Sequence, residues 1–288
     1  MNSKINVLYE GTRTIIKNAR NFEPSQVFDC GQCFRFDMAS DGAYFGVAKG
    51  RYVEARRVGE DIILENCTES DFNEVFRDFF DIDFDYTSAA STLAIDETLK
   101  KAAQFGSGIR ILHQDEWEAL CSFIISQNNN IPRIKGIISN LCEKYGEPVY
   151  TDALGKVHYS FPSAEVIANA GEGAMAELKT GFRAKYIYDA ASKVASGEID
   201  LTLPYGMTYS EGAQYLQRIK GVGLKVASCV LLFAYRKYDA FPIDVWVKRI
   251  LEKYYDGKVG AEYFGEYAGL CQQYLFYYER CENNVYLN

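Results

Sequence analysis

Residues 216–249 constrain the fold of this chain most, because two helical patterns meet there at a short glycine turn. Apolar residues recur at three-to-four spacing on both sides of that turn, as expected for two packed helices. The turn is Gly221-Val222-Gly223, and the apolar positions are Leu216, Ile219, Val222, Val226, Val230 and Phe233. The sequence therefore predicts two helices joined by a tight hairpin over residues 216–236.

The hairpin also carries the residues for a chemical reaction. Backbone N–H groups of Gly221, Val222 and Gly223 would lie at the positive end of the second helix, which favours a phosphate. Lys225 falls in the first turn of that helix, where the dipole and apolar neighbours disfavour its ammonium form and leave a nucleophilic amine. Asp244 could begin the next helix as its N-cap, with its carboxylate directed back at the hairpin.

Each part alone has an ordinary structural explanation. Gly-x-Gly turns commonly join helices, and Pro-x-Asp is a frequent helix start. The combination at this spacing is more specific, and it favours a DNA-bound amine nucleophile.

The periodicity of the chain changes near residue 70. Residues 5–66 contain short alternating segments separated by turn residues, which predicts an antiparallel sheet. These segments are TRTIIKNA, QVFDCGQCFRF, YFGVAKG and DIILENC. Later segments have helical spacing, from DEWEALCSFIISQNN to YFGEYAGLCQQYLFYYERC. We therefore predict an α+β protein with an N-terminal antiparallel β domain over residues 1–86 and a helical domain over residues 87–288.

Charge is unevenly distributed along the chain, whose formal net charge is −8. Residues 51–100 hold 5 Lys or Arg against 13 Asp or Glu, whereas residues 201–250 hold 7 against 3. A basic hairpin region is compatible with phosphate binding even when the remaining surface is acidic. The acidic run DFFDIDFD at 78–85 is interpreted as a solvated domain edge.

The eight cysteines bear on compartment and metal content. The polar start MNSKINVLYEGTR lacks a signal-peptide core and no apolar run is long enough to span a membrane, so we expect an intracellular protein with reduced thiols. Its location would be the cytoplasm and nucleoid of a prokaryote, or the nucleus of a eukaryote. Cys30 and Cys33 form a CxxC without a second pair, and His113 and His158 are the only histidines, which argues against zinc. We expect a monomer.

Four further segments, together with the hairpin, carry a family resemblance. They are CGQCFRF at 30–36, SQNNNIPRI at 126–134, GFRAKY at 181–186 and YAGLCQQYLF at 267–276. With these segments the chain resembles the 8-oxoguanine DNA glycosylase family of the helix-hairpin-helix (HhH-GPD) superfamily. The resemblance implies a two-lobed helical body with the active site between the lobes. It also implies a bifunctional enzyme, since the lysine marks the members that combine glycosylase and lyase activity.

In the family, the lysine matching Lys225 attacks C1′ of a flipped nucleotide, and the resulting Schiff base undergoes β-elimination. The aspartate matching Asp244 stabilises the positive charge that develops on the sugar. The partner implied is double-stranded DNA containing 8-oxoguanine.

The base pocket in the family is formed by residues matching Gly31, Cys229, Gln272 and Phe276. The glycine carbonyl accepts a hydrogen bond from the N7–H of 8-oxoguanine, and Gln272 matches the residue that reads the Watson–Crick edge. Phe276 and Cys229 match the residues that contact the two faces of the base. Without the resemblance, these residues favour an ordinary structural role. Gln272 and Phe276 at i and i+4 are typical of a rim and core pair, and Cys229 of a small buried hydrophobe.

The resemblance assigns contacts with the DNA strand opposite the lesion to a second group of residues. Asn128 matches the side chain that fills the vacated duplex position, Phe182 a wedge, and Arg133 and Arg183 the guanidiniums that contact the orphaned cytosine. On sequence alone, an NNN run is more typical of a helix cap and Arg133 of a helix start.

The chain departs from the animal members at three of these positions. Phe182 replaces a tyrosine, Trp246 a phosphate-contacting histidine, and Cys33 a serine. These changes affect the expected strictness for cytosine opposite the lesion rather than the expected chemistry.

No cofactor is expected to be required. Some relatives carry a four-cysteine iron–sulfur cluster after the aspartate, but only Cys271 and Cys281 lie there, so we expect none. Superfamily hairpins often bind a monovalent cation, and Na⁺ or K⁺ held by hairpin carbonyls is expected here. Two alternatives stay open: a glycosylase for another damaged base, and a noncatalytic DNA-binding module. The missing cysteine cluster and Lys225 disfavour the first, and the pairing of Lys225 with Asp244 disfavours the second.

Overall fold

The computed structural model describes residues 6–93 and 95–282. Residues 1–5 of the polar start, and the ends of the two predicted domains at residues 1 and 288, lie outside the described residues. The strands are Val7–Glu10 (β1), Arg13–Ile16 (β2), Phe36–Met38 (β3), Tyr44–Ala48 (β4), Arg51–Val58 (β5), Asp61–Glu65 (β6), Pro148–Thr151 (β7) and Val157–Tyr159 (β8). Strands β1–β6 form one antiparallel sheet in the order β1-β2-β6-β5-β4-β3, and β7 pairs with β8.

Helices occupy most of the remaining chain. They are Pro24–Asp29 (α1), Glu69–Asp71 (α2), Arg77–Phe79 (α3), Tyr86–Thr92 (α4), Glu97–Phe105 (α5), Glu116–Ser126 (α6), Ile131–Tyr145 (α7), Ala164–Glu177 (α8), Ala184–Ala195 (α9), Tyr209–Leu216 (α10), Leu224–Tyr235 (α11), Val245–Tyr255 (α12), Ala261–Phe264 (α13) and Ala268–Glu282 (α14). A π-helical turn, Phe72–Phe76, joins α2 to α3, and 3₁₀ turns cover Gly181–Arg183, Leu203–Gly206 and Gly265–Tyr267. The predicted order of an antiparallel sheet followed by a helical body is confirmed.

The sheet buries one face against an aromatic core. Ile62 and Leu64 alternate inward along β6 and are fully buried, as expected for a strand with one face on the core. Phe28 stacks on Phe36 with ring centroids 4.0 Å apart, and Phe79 packs behind them. Alternating residues of the sheet thus supply one of the two hydrophobic cores in the described residues.

The second core surrounds two helices that are buried on all sides and largely apolar, with Glu118 and Ser122 of α6 and Ser228 of α11 as buried polar exceptions. Every residue of α11 from Val226 to Tyr235 is buried, and so is every residue of α6 from Trp117 to Ile125. A helix without a polar face is stable only in the interior, and these two pack together through Phe123 and Phe233, whose ring centroids are 5.5 Å apart. The apolar sequence of α11 therefore fixes it as a central helix, with Lys225 near its N-terminal end.

Two predictions about the N-terminal region are wrong. The segment QVFDCGQCFRF is mainly a short helix and loop, because Pro24 begins α1 at its first position and only Phe36 enters a strand. The acidic run 78–85 is also not simply a solvated edge: Asp83 and Asp85 are exposed, but the rest of the run is buried or half-buried. Phe79, Phe80 and Ile82 pack in the sheet core, and Phe84 packs against the helical core. Asp81 is 7% exposed and accepts hydrogen bonds from the hydroxyls of Tyr86 (2.8 Å) and Tyr238 (2.7 Å).

The sequence pattern missed several elements, among them α4, α5, α8 and the β7–β8 hairpin. In the part of the chain that the structure describes, no helix combines the length and the apolar character needed to cross a membrane.

Candidate active site

The predicted hairpin joins α10 to α11. Its turn is closed by the Val222 N–H, which donates to the Ile219 carbonyl at 3.1 Å. Gly221 has φ +82°, and a Cβ there would lie 2.4 Å from the ring of Tyr186, so only glycine fits. Gly223 is the N-cap of α11 and offers no side chain to its first turn. The N–H groups of that turn are therefore left for an external acceptor, the arrangement that binds phosphates.

Lys225 is the second residue of α11, in its first turn, as predicted. Its Nζ lies 5.6 Å from the ring centroid of Phe123, on the neighbouring helix α6. Lys225 lines two adjoining cavities that share Gly31, Phe123, Asp244 and Phe276 on their walls. The lysine therefore lies in the first turn of α11, with its amine near an aromatic ring, on the wall that the two cavities share.

Asp244 begins α12 as its N-cap, as predicted. Its Oδ1 accepts hydrogen bonds from the backbone N–H groups of Trp246 (2.9 Å) and Val247 (2.8 Å). The cap fixes the carboxylate in position on the wall of both cavities, opposite the start of α11. Because Oδ1 makes both capping bonds, the second oxygen is not used by the cap.

The smaller of the two cavities gathers the residues that the resemblance assigned to base recognition. Gly31, Cys229, Gln272 and Phe276 line it, although they come from three separate parts of the sequence. The full lining is Cys30, Gly31, Phe123, Lys225, Cys229, Phe233, Pro242, Asp244, Gln272, Gln273 and Phe276. The structure therefore brings together the predicted nucleophile, the predicted carboxylate and all four predicted pocket residues.

A buried glutamine that sequence reasoning missed holds the Gly31 loop. Gly31 has φ +80°, and the next residue, Gln32, is fully buried. The side-chain amide of Gln32 donates to the Arg110 backbone carbonyl at 2.7 Å and accepts from the Leu112 N–H at 2.9 Å. The backbone carbonyl of Gln32 accepts from the side-chain amide of Gln114 at 2.7 Å. The available sequence signal for this residue was a polar side chain between two cysteines, a residue type that is usually buried. Gln32 fixes the backbone on which Gly31 meets the cavity.

Two thiols face the smaller cavity. Burial raises the pKa of Cys229, although the nearby Lys225 works in the opposite direction. Burial likewise raises the pKa of Cys30 to about 12. Both thiols are therefore neutral at physiological pH and act as soft apolar contacts rather than as thiolate nucleophiles.

The four residues assigned to the opposite strand lie elsewhere, around the end of α6. Asn128 has φ +47° in the loop between α6 and α7, and Phe182 is 49% exposed in a 3₁₀ turn. Arg133 is exposed at the start of α7, where its N–H is capped by Asn130 (3.0 Å). Asn130 thus has the capping role that the NNN run suggested. None of these four residues lines either cavity.

Arg183 is 2% exposed and holds the Asn128 loop in place. Its Nη2 donates to the Asn128 carbonyl at 2.8 Å and its Nε to the Gln127 carbonyl at 2.8 Å. Its guanidinium also lies 4.4 Å from the ring centroid of Phe182. In this structure Arg183 supports the loop and the exposed ring, and its contact with cytosine stays a prediction.

Trp246, which replaces the expected histidine, lines the larger cavity beside Asp244. The guanidinium of Arg249 lies 4.9 Å from the centroid of its ring, so a cation packs on this side chain. Within residues 6–93 and 95–282, no three His, Cys, Asp or Glu side chains are grouped as metal ligands would be.

Together, the hairpin, its lysine and the capping aspartate define the class of protein: a helix-hairpin-helix base excision glycosylase. Sequence profiles agree with this class. Residues 14–120 match the N-terminal domain of 8-oxoguanine DNA glycosylase, and residues 121–260 match the HhH-GPD superfamily of base excision DNA repair proteins.

Three similar proteins narrow the class. The Clostridium acetobutylicum 8-oxoguanine glycosylase/lyase, solved with double-stranded DNA containing cytosine opposite 8-oxoG, is 39% identical, with 98% of this chain and 100% of that chain covered and a TM-score of 0.93. A protein designated MBOgg1, solved with a low-affinity DNA ligand, is 43% identical at the same coverage and TM-score. The N-glycosylase/DNA lyase of Saccharomyces cerevisiae is 40% identical over 159 residues, which span 51% of this chain and 42% of the yeast protein. This chain belongs to the 8-oxoguanine DNA glycosylase family.

Proposed function

We propose that this chain is a bifunctional DNA repair enzyme, which excises 8-oxoguanine from duplex DNA and then cleaves the strand 3′ to the abasic site. One observation carries the proposal: Lys225 and Asp244 lie on the wall of the same cavity as Gly31, Gln272 and Phe276. A noncatalytic DNA-binding module has no need for an amine, a carboxylate and a base pocket in one place. The similarity to named glycosylase/lyases supports the same conclusion.

The chemistry begins with the flipped nucleotide in the cavity. The Nζ of Lys225 attacks C1′, the glycosidic C1′–N9 bond breaks, and the base leaves with its bonding electron pair and takes the proton that the lysine nitrogen loses. The C1′–O4′ bond then breaks, O4′ takes a proton, and the opened sugar is left as a protonated Schiff base on Nζ. Loss of the C2′ proton then expels the 3′ phosphate as the C3′–O bond breaks. Water finally hydrolyses the Schiff base and returns the free lysine.

Asp244 supports this sequence electrostatically. Positive charge develops on the sugar as the base departs, and a fixed carboxylate in a partly dehydrated cavity stabilises that charge without reorganising. The two N–H groups that hold Oδ1 at 2.9 and 2.8 Å provide the fixed position.

Recognition of the oxidised base would rest on the other cavity residues. The N7–H that distinguishes 8-oxoguanine from guanine would donate to the Gly31 carbonyl, whose missing side chain allows close approach. Gln272 would read the Watson–Crick edge, with Phe276 on one face of the ring and Cys229 on the other.

The remaining DNA contacts follow from surface position. The first turn of α11 would bind a backbone phosphate, and exposed Phe182 would enter the duplex beside the Asn128 loop. Arg133 and Arg183 would face the orphaned cytosine. A Na⁺ or K⁺ held by hairpin carbonyl oxygens would reinforce the phosphate site, and this cation rests on the family resemblance.

Borohydride trapping tests the proposal directly. Duplexes carrying 8-oxoguanine opposite each of the four bases are incubated with wild type, Lys225→Gln and Lys220→Gln. Lys220→Gln is the matched control, because it removes a positive charge from the same hairpin at an exposed position. We expect a covalent adduct with wild type and Lys220→Gln and none with Lys225→Gln. The yield across the four duplexes measures the preference for cytosine.

An adduct that persists in Lys225→Gln would assign the Schiff base to another amine. Folded wild-type protein that binds the duplex but gives no adduct would overturn the proposal in favour of a binding module.

A further inference from the structure

The smaller cavity contains a second glutamine that neither the sequence motifs nor the family resemblance assigns. Gln273 is 4% exposed and lines the cavity next to Gln272, which is 5% exposed. Its Nε2 donates a hydrogen bond to Oε1 of Gln272 at 2.8 Å. Its own Oε1 is buried and has no hydrogen-bond partner among the residues that the structure describes.

A buried acceptor without a donor is costly, and native proteins keep very few such groups. An apolar side chain of similar shape would avoid this cost, so an orphaned amide oxygen on a residue that lines a cavity indicates a ligand that donates to it. The bond from Gln273 also occupies one lone pair of Gln272 Oε1, which orients that amide and leaves its other lone pair and its NH₂ group for a ligand.

This amide pair matches one arrangement of donors and acceptors. The edge of a guanine-type base presents, in order, the O6 acceptor, the N1–H donor and the N2 amino group. The oriented Gln272 amide can donate to O6 and accept from N1–H. The exocyclic amine then needs one further acceptor, and Gln273, whose amide is hydrogen-bonded to Gln272 at 2.8 Å, would supply it through Oε1.

We propose that Gln273 is a specificity-determining residue that reads the 2-amino group of the lesion and sets the orientation of Gln272. The inference rests on the proposed function, and it makes the pocket selective for oxidised purines that carry a 2-amino group. A site built to hydrogen-bond a substrate amine discriminates against the analogue that lacks it, because its own polar group then stays unpaired.

The test compares excision of 8-oxoguanine with excision of 8-oxohypoxanthine, which lacks only the 2-amino group, both opposite cytosine. Single-turnover rates and kcat/KM are measured for wild type, Gln273→Leu and Gln273→Met. We expect wild type to favour 8-oxoguanine by about tenfold or more, and the variants to lose about tenfold of that preference. Strand cleavage of a preformed abasic site, which contains no base to read, should be unchanged in both variants.

Thermal unfolding gives a second readout. Gln273→Leu removes the orphaned acceptor but also the hydrogen bond to Gln272 Oε1, and these two effects on stability oppose each other, so its Tm should change little while its selectivity falls. A purely structural role predicts the opposite, a lower Tm with an unchanged ratio of the two rates. Equal rates on both bases in wild type, or a ratio unchanged in both variants, would overturn the inference. Failure to trap wild type even on abasic DNA would overturn the proposed function itself.

Discussion

Asp244 has two roles that single substitutions can separate. Its Oδ1 caps α12 through two backbone N–H groups, and its charge lies on the cavity wall that it shares with Lys225. Asparagine caps a helix about as well as aspartate but carries no charge, whereas alanine does neither. We therefore expect Asp244→Asn to keep wild-type stability while base excision falls by roughly 100- to 1000-fold. Single-turnover excision and urea denaturation measure the two effects.

Asp244→Ala provides the comparison. It should lose the same activity and also about 1 kcal/mol of stability, since the first turn of α12 loses its acceptor. If Asp244→Asn excised the base at the wild-type rate, the carboxylate would be only a cap, and the electrostatic role would be wrong.

Residue positions were predictable where the signal is local. Lys225 in the first turn of α11 and Asp244 as a cap follow from short-range spacing, and both positions are confirmed. The environment of Arg183 was not predictable, because its burial depends on carbonyls of Gln127 and Asn128 that lie more than fifty residues away. The environment of Gln273 was not predictable either. Its hydrogen-bond partner is adjacent in sequence, but the cavity that Gln273 lines and the burial of its Oε1 exist only in the folded chain.

The hairpin contains two glycines with different physical requirements. Gly221 has φ +82° and no room for a Cβ beside Tyr186, whereas Gly223 has φ −92° and open space around its Cβ position. We expect Gly221→Ala to lose roughly 2 kcal/mol or more of stability, through a left-handed conformation and a steric clash. Gly223→Ala should lose less than about 1 kcal/mol, as alanine is only a poorer N-cap. Urea denaturation of both variants measures this difference.

We also expect the Gly223→Ala substitution to affect DNA binding. A methyl group at Gly223 lies at the open N-terminus of α11, where the phosphate would approach, so the folded Gly223→Ala protein should bind duplex DNA more weakly. A stability loss in Gly221→Ala as small as that expected for Gly223→Ala would show that the turn tolerates a side chain at position 221 and that Gly221 is not required for the hairpin.

Among the elements, length and capping decided what the sequence could predict. The helices α6, α7, α11 and α12 are long and periodic, and three of them begin at a polar cap residue. The short helix α1 was mistaken for a strand because six residues hold fewer than two turns of the helical period. The β7–β8 hairpin has strands of four and three residues, too short for alternation to be recognised.

Across the whole molecule, charges that look unbalanced along the chain meet in space. Asp78, in the acidic segment, pairs with Arg236 from the basic segment and with Lys49 at 3.0 Å. Buried Arg110 donates to the Phe80 carbonyl at 2.8 Å and to the Asn21 carbonyl at 3.1 Å. Because these contacts join residues far apart in sequence, local charge counts could not reveal them. The sheet and the helical body are therefore linked by a polar network that appears only in the folded chain.

One buried ion pair in the described residues makes that link sensitive to pH. Arg35, just before β3, lies 3.5 Å from Glu118 of α6, and the two side chains are 8% and 9% exposed. Burial raises the pKa of Glu118 from 4.5 to about 7 and outweighs the opposing effect of Arg35, while Asp115 adds to the rise. The free energy lost by dehydrating the Glu118 carboxylate thus exceeds the free energy gained from its attraction to the Arg35 guanidinium at 3.5 Å.

Stability should therefore fall as the pH rises through this range. A carboxyl whose pKa is higher in the folded state binds its proton more tightly there, so its contribution is complete below about pH 4.5 and lost by about pH 7. Between about pH 5 and pH 8 we expect the free energy of unfolding of wild type to lose roughly 1 to 3 kcal/mol relative to Glu118→Gln, which cannot ionise. Urea denaturation at both pH values measures the difference, with Glu116→Gln on the same helix as the control. Parallel pH profiles for wild type and Glu118→Gln would mean that the pair ionises normally, and that Arg35 fully compensates the buried charge.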